Sequence, residues 1–159
     1  MNYYSGKLGL PYHLSVGAIV VNEKKEVGCR HYSANEHEEQ GELYVVMRET
    51  MEPGETIEQT LARGCQEELG LTVEIKEFIG SIVSHFSRGT ETVEKTTLYF
   101  LCEPRSEVPA EPGGFEATGT IEWQPLDWLI EQSKKQGKHF GRDDYDESAV
   151  LERAAQLIG

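Results

Sequence analysis

The sequence predicts an α/β fold, because short apolar segments typical of strands alternate with amphipathic helical segments. Residues 14–21, Leu-Ser-Val-Gly-Ala-Ile-Val-Val, have the length and composition of a buried strand. Residues 56–69 instead place an apolar side chain at every fourth position, which is the spacing of one helix face. Residues 145–158 show a second helical pattern near the end of the chain. A length of 159 residues favours one domain, so we expect residues 1–159 to fold together.

The first third of the chain is predicted to form three strands. After the strand at residues 14–21, the polar residues 22–25 indicate a turn, and residues 26–32 are its expected hairpin partner. Residues 33–42 are rich in Glu, Asn and Gly and are predicted to form a polar loop. Residues 43–47 then form a short third strand.

The helix predicted at residues 56–69 has recognisable start and stop signals. Thr56 is a favourable N-cap, and Gln59 three residues later completes a capping box. Gly70 is placed to end the helix in a left-handed conformation, with the apolar Leu71 beyond it. The buried face is predicted to comprise Ile57, Leu61, Cys65 and Leu69.

The second half of the chain is predicted to add three strands and one helix before the final helix. Residues 103–119 contain several prolines and glycines and indicate a long irregular loop. Asp127 is the expected N-cap of the added helix, and Gly137 its expected end. The three strands are predicted at residues 73–86, 93–102 and 121–123, and the helix at residues 128–136.

The charge balance limits the partners that this surface can attract. The chain has 28 acidic and 15 basic residues, which give a net charge of −13. Such a surface repels phosphate backbones, so we expect neither a long nucleic acid nor an anionic membrane as a partner. A small nucleotide-like substrate remains compatible, because divalent cations can bridge carboxylates to phosphates. The sequence leaves the oligomeric state open.

The three cysteines predict a reducing compartment. Cys29, Cys65 and Cys102 lie among apolar residues and none belongs to a Cys-x-x-Cys pair, so buried free thiols are expected. No apolar run approaches the roughly eighteen residues needed to cross a bilayer. No secretory signal is visible, and a cytoplasmic location is therefore expected.

The segment that carries chemical information is residues 55–71, Glu-Thr-Ile-Glu-Gln-Thr-Leu-Ala-Arg-Gly-Cys-Gln-Glu-Glu-Leu-Gly-Leu. It resembles the box of the Nudix hydrolases, which reads Gly, five residues, Glu, seven residues, Arg-Glu, an apolar residue, any residue, Glu-Glu, any residue, Gly. The matches are Glu55, Arg63, Glu67, Glu68 and Gly70. With looser similarity in the later strands, the resemblance covers roughly residues 13–137. It implies an α/β/α sandwich with a mixed, curved sheet.

Two positions depart from the box. The opening glycine is Glu49, and the glutamate after the arginine is Gly64. Glycine inside a helix costs roughly 0.5–1 kcal/mol relative to alanine. Gly64 therefore indicates a close approach by another segment or by substrate, or else drift after a loss of catalysis. The family's opening glycine presents its carbonyl oxygen to a metal. Glu49 is therefore a candidate metal ligand that partly replaces the carboxylate missing at position 64, although glutamate tolerates a positive φ poorly.

The resemblance implies metal-dependent cleavage of the diphosphate in a nucleoside diphosphate linked to another group. Magnesium or manganese is the implied cofactor, with Glu67 and Glu68 as ligands and water as the nucleophile. Arg63 and Glu55 inherit the role of orienting the carboxylates. A catalytically degenerate Nudix domain that binds a nucleotide or a protein is the alternative, because Gly64 removes one expected ligand. A hydrolase that recruits a loop carboxylate also stays open, with Glu91, Glu94, Glu111 and Glu116 as the candidates.

Overall fold

A computed structural model describes residues 1–6, 11–33 and 41–159, except for the side chains of Phe115 and Glu116. The expected polar loop at residues 33–42 therefore lies largely outside the described residues. Six strands and three α-helices are present in the described part. They are β1 (Tyr12–Val20), β2 (Glu26–Tyr32), β3 (Leu43–Thr50), α1 (Ile57–Gly64), β4 (Leu71–Arg88), β5 (Glu91–Glu107), β6 (Thr120–Pro125), α2 (Leu126–Phe140) and α3 (Ser148–Ile158). A π-helical turn (Cys65–Leu69) continues α1, and short 3-10 turns cover Gly114–Thr118 and Asp143–Tyr145.

The strands form one mixed sheet in the order β4-β5-β1-β3-β2-β6. β1 runs parallel to β5, with Tyr12 beside Glu94 and Val20 beside Cys102. The other neighbouring strands are antiparallel. Ser15 of β1 pairs with Thr50 at the end of β3. The end of β3 therefore lies in the middle of the sheet, and the box segment follows it directly along the chain.

Helices cover both faces of the sheet, and each helical layer packs on its own apolar core. α2 and α3 contribute Leu129 and Leu151 to a core with Ile19 and Val46 of the sheet. The box helix and its π turn pack on the other face through the buried residues Leu61, Cys65 and Leu69. The structure thus confirms the α/β/α sandwich with a mixed sheet.

Several element boundaries differ from the sequence predictions. β5 continues to Glu107 through a segment predicted as loop. Pro104 is tolerated there because it lies beyond Cys102, the last residue of β5 that pairs with β1. The pairing of β5 with β4 also shifts register next to Pro104, between Thr72 and Val73 of β4. α2 begins one residue before Asp127 with Pro125 at its N-cap, so the predicted aspartate cap was wrong.

The ends of the C-terminal helices also differ. α2 continues past Gly137 and ends at Phe140, where Gly141 adopts a left-handed conformation with φ 61°. Gly137 lies inside the helix. The residue is glycine for a packing reason, because a Cβ there would stand 2.7 Å from the Cβ of Asp146. α3 begins at Ser148, after the 3-10 turn that contains Tyr145.

The cysteines are buried and free, as the sequence predicts. Burial raises the pKa of the Cys29 and Cys102 thiols to about 12 and also raises the pKa of Cys65. None of the helices in the described parts of the chain is long and apolar enough to span a membrane.

Candidate active site

The capping box at Thr56 begins the helix that carries the candidate site. The Thr56 hydroxyl accepts a hydrogen bond from the Gln59 amide at 3.1 Å, and the Gln59 side chain accepts one from the Thr56 amide at 2.9 Å. These reciprocal bonds confirm the predicted start and satisfy two amides that a helix end leaves unpaired. They fix the first turn of α1 directly after the loop that contains Glu55.

Arg63 holds Glu55 through two hydrogen bonds. Its Nε donates to Glu55 Oε2 at 3.0 Å, and its Nη2 donates to Oε1 at 2.8 Å. Glu55 Oε1 also accepts from the Thr60 hydroxyl at 3.1 Å and from the Glu52 amide at 2.8 Å. These contacts, led by the Arg63 hydrogen bonds, lower the pKa of Glu55 from 4.5 to about 2, and the same pair raises the pKa of Arg63.

The remaining Arg63 nitrogen, Nη1, faces three further carboxylates. Glu49 Oε1 lies 3.2 Å from it, and Glu67 Oε2 lies 3.9 Å from it. Glu52 Oε1 is at 4.0 Å on a side chain that is 67% exposed. Arg63 Nη2 also donates to the Thr50 carbonyl oxygen at 3.0 Å, which ties α1 to the end of β3. One guanidinium therefore gathers carboxylates from β3, the loop and the helix.

The last turn of the box helix is wider than an α-helical turn. Residues Cys65–Leu69 are π-helical, whereas the sequence predicts a uniform helix to Leu69. The loop after β5 crosses this turn, because the Glu111 amide donates to the Glu67 carbonyl oxygen at 2.9 Å. Gly70 ends the turn at φ 63°, as predicted, and its amide donates to carbonyls of the turn. Such π turns are frequent at functional sites.

The widened turn gives the two glutamates of the box different surroundings. The Glu67 side chain is 42% exposed and lies beside Arg63. Glu68 is only 7% exposed. It lines a cavity of about 140 Å³. The other residues that line this cavity are Tyr32, Leu43, Val45, Val46, Arg48, Lys95 and Tyr145.

Two cations that the sequence analysis did not single out lie in this cavity. Arg48 Nη1 donates to the Asp144 carbonyl oxygen at 2.8 Å, and its Nε is 3.8 Å from Glu147 Oε2. Within the described residues, the Lys95 side chain makes no hydrogen bond or ion pair. Burial, followed by the neighbouring Arg48 charge, lowers the pKa of Lys95 to about 8. Lys95 lies two residues from the buried Val93 and two from the buried Thr97, so all three side chains share one face of β5. This spacing is the sequence signal that could have revealed Lys95.

The two departures from the box lie against each other. Glu49 is in β3, and Lys25 is the one non-glycine residue of the described chain with a positive φ, so the expected backbone strain at Glu49 is absent. Gly64 is buried, and a Cβ on it would stand 2.8 Å from the Glu49 Cβ. It would also stand 2.5 Å from the Met47 sulfur. A close approach by β3 therefore accounts for the glycine.

Of the candidate loop carboxylates, that of Glu111 belongs to a residue whose backbone contacts the box helix. Its amide bonds the Glu67 carbonyl oxygen. Glu91 and Glu94 instead pair with basic side chains of β4, at 2.7 Å and 3.4 Å. The side chain of Glu116 is outside the described part.

The donor set fits a hard divalent cation by chemistry and charge. Carboxylate oxygens are the ligands that magnesium and manganese prefer. Four carboxylates face the single charge of Arg63, which leaves an excess negative charge for a cation to neutralise. In the described residues, no three His, Cys, Asp or Glu side chains are already grouped closely enough to hold a metal ion. Three of the carboxylates around Arg63 would have to come closer together to hold one cation.

The fold and the site together define an α/β/α sandwich that presents an acidic helix beside a mixed sheet. The sequence model of the NUDIX domain matches residues 11–143. Since this range covers most of the 159 residues, the chain belongs to the Nudix family. None of the curated proteins compared with the chain matches it.

Solved structures show the same fold at low sequence identity. The crystal structure of a MutT protein from Methanosarcina mazei Go1 is 20% identical, with a TM-score of 0.61, and the match covers 95% of this chain and 98% of that one. The solution structure of the Escherichia coli ORF135 protein is 17% identical, with a TM-score of 0.60 and coverages of 97% and 96%. A NUDIX hydrolase from Nitrosomonas europaea is 14% identical, with a TM-score of 0.59 and coverages of 91% and 86%.

Proposed function

We propose that this chain is a metal-dependent hydrolase that cleaves the diphosphate of a nucleoside diphosphate linked to another group. The observation that carries the proposal is the assembly of the box around Arg63. Arg63 holds Glu55 through two hydrogen bonds and lies 3.9 Å from Glu67. Membership in the Nudix family supports the same reaction class.

Glu67 and Glu68 are the side chains that would hold magnesium or manganese. Such a cation, once bound, offsets the developing charge on phosphate oxygens and lowers the pKa of a water molecule. Glu55 stays ionised because Arg63 lowers its pKa to about 2, so this pair keeps a fixed geometry over the working pH range. Arg63 and Glu55 thus act as positioning residues, and their hydrogen bonds orient the loop and the helix that carry the ligands.

The cavity beside Glu68 supports a small anionic substrate. Lys95 and Arg48 bring two positive charges to its wall in a protein whose net charge is −13. A local cationic wall attracts a phosphate group where the overall surface repels one. The same acidic surface disfavours long nucleic acids and anionic membranes as partners. The buried free thiols support a reducing, cytoplasmic location.

Product release from a panel of nucleotide derivatives tests the proposal. We expect the wild-type chain to release nucleoside monophosphate from at least one nucleoside diphosphate derivative when magnesium or manganese is present, and none after EDTA treatment. The double variant Glu67→Gln, Glu68→Gln should lose this activity while remaining folded by circular dichroism. Glu131→Gln, at an exposed position of α2, is the matched control.

Turnover by the double variant at the wild-type rate would show that neither Glu67 nor Glu68 takes part in the reaction. The absence of turnover for the whole panel with either metal would refute the hydrolase proposal. Binding of an unhydrolysed nucleotide in that case would favour the degenerate binding module.

A further inference from the structure

The two departures from the family's box are reciprocal. The box has glycine at position 49 and glutamate at position 64, whereas this chain has Glu49 and Gly64. A Cβ built on Gly64 would lie 2.8 Å from the Cβ of Glu49, closer than real side chains approach. The Glu49 Cβ is fixed to the backbone of β3, so it cannot yield without a shift of the strand. The two positions therefore share one volume, and only one of them can carry a side chain.

We propose that Glu49 and Gly64 have exchanged roles, so that Glu49 supplies from β3 the third metal-binding carboxylate that the box places on the helix. This inference rests on the proposed metal-dependent function. Its basis is the common origin of the two side chains, because Glu49 departs from the sheet within 2.8 Å of the point where the missing side chain would leave the helix. A glutamate that starts from that point carries its carboxylate into the same region of the site, beside Arg63.

The orientation of Glu49 agrees with this assignment. Its Oε1 lies 3.2 Å from Arg63 Nη1, and Glu67 Oε2 lies 3.9 Å from the same nitrogen. The carboxylates of Glu49 and Glu67 therefore face the same positively charged atom, Nη1 of Arg63. Side-chain exposures of 20% for Glu49 and 42% for Glu67 leave that point accessible from solvent.

A structural role for Glu49 as a partner of Arg63 is the competing explanation, and Glu52 provides the matched comparison. Glu52 approaches the same Arg63 nitrogen at 4.0 Å but is 67% exposed and lies on the loop, away from the Gly64 contact. If pairing with Arg63 were the whole role, replacing either glutamate would leave metal binding unchanged. If Glu49 binds metal, only its replacement weakens metal binding.

Manganese binding, measured by calorimetry and by electron paramagnetic resonance of the free ion, tests the assignment without turnover. We expect Glu49→Gln, which preserves the side-chain shape, to weaken Mn²⁺ binding by about tenfold or more, since the affinity of a site for a hard cation depends on the number of its charged ligands. Glu52→Gln should stay within about twofold of wild type, because its carboxylate lies outside the shared volume.

The exchange variant provides the sharper test. Gly64→Glu alone should lower the melting temperature, because the new side chain meets the Glu49 Cβ. The double variant Glu49→Gly, Gly64→Glu removes that contact, and the Met47 contact that remains is with a flexible thioether end. We expect the double variant to regain the melting temperature that Gly64→Glu loses. We also expect it to regain the Mn²⁺ affinity that Glu49→Gly alone loses.

The failures of the two proposals are distinguishable. Unchanged Mn²⁺ affinity in Glu49→Gln, together with a loss in Glu68→Gln, would overturn the exchange and leave the proposed function standing. Recovery of stability but not of affinity in the double variant would also overturn the exchange. A wild-type chain that binds no Mn²⁺ would overturn both proposals.

Discussion

The pair formed by Arg63 and Glu55 should give this protein a measurable share of its stability, and that share should depend on pH. We consider Glu55→Gln, which removes the charge and keeps the size of the side chain. A carboxylate pKa lowered from 4.5 to about 2 means that the folded state favours the ionised form. The difference corresponds to about 3 kcal/mol at roughly 1.4 kcal/mol per pKa unit, and solvent screening at the rim of the site reduces it to about 2 kcal/mol.

The direction of the pH dependence follows from the lowered pKa. Since the folded-state pKa lies below the unfolded value, the stabilisation is fully present above about pH 4.5. It declines as the pH falls towards 2, because the folded carboxylate is then protonated as well. The variant lacks this titration. The gap between the free energies of unfolding of wild type and variant should therefore narrow below pH 4.5.

Urea unfolding in EDTA at pH 7, 5, 4 and 3 measures this gap. EDTA excludes a contribution from bound metal. Glu23→Gln, in the exposed turn between β1 and β2, is the control for removing one negative charge from an acidic protein. A gap at pH 7 no larger than that of the control, or a gap that does not change with pH, would refute the reasoning.

Four other outcomes are expected. Gly70→Ala should cost about 2 kcal/mol or more in urea unfolding, because φ is 63° and a Cβ would lie 2.8 Å from a loop carbonyl oxygen. Gly89→Ala, at φ 61° with nothing within 4 Å, should cost only about 1 kcal/mol. Tyr99→Phe should destabilise the fold by about 1–3 kcal/mol, since the buried Tyr99 hydroxyl donates to Glu147 Oε2 at 2.6 Å. Lys95→Met should raise KM about tenfold with little change in kcat, if its charge contributes about 1.5 kcal/mol to substrate binding.

Local rules predicted the start and the end of the box helix. The capping box needs only Thr56 and Gln59 at the right spacing, and Gly70 needs only its conformational freedom, so three residues define both ends. The π-helical turn before Gly70 was missed, because local sequence rules do not report the distant contacts that the turn makes. It is crossed by the loop at Glu111, which is distant in sequence. The same reason applies to β5, whose extension to Glu107 depends on pairing with β4.

The site shows the same division between local and distant information. The box spacing singled out Glu55 and Arg63 as residues that orient the carboxylates, but only the structure shows that the two side chains form a bidentate pair. For Gly64 the sequence offered a close approach as one explanation, but it could not identify β3 as the neighbour, because the distance between α1 and β3 is set by tertiary packing. Lys95 was overlooked although its alternation with buried residues was visible in the sequence. A charged residue at an inward-facing strand position is therefore informative even without a motif.

The contact between positions 49 and 64 also restricts the order in which mutations could have accumulated. A lineage that began with the family's glycine and glutamate and changed one codon at a time had to pass through two glutamates or two glycines. The doubly acidic intermediate would bring two Cβ atoms to 2.8 Å, and overpacking of that kind costs about 1–3 kcal/mol. The intermediate with two glycines relieves the crowding and lacks one carboxylate. If Glu49 supplies the third carboxylate as proposed, selection for a folded chain favours the route through two glycines, in which metal affinity falls first and is regained later from the strand.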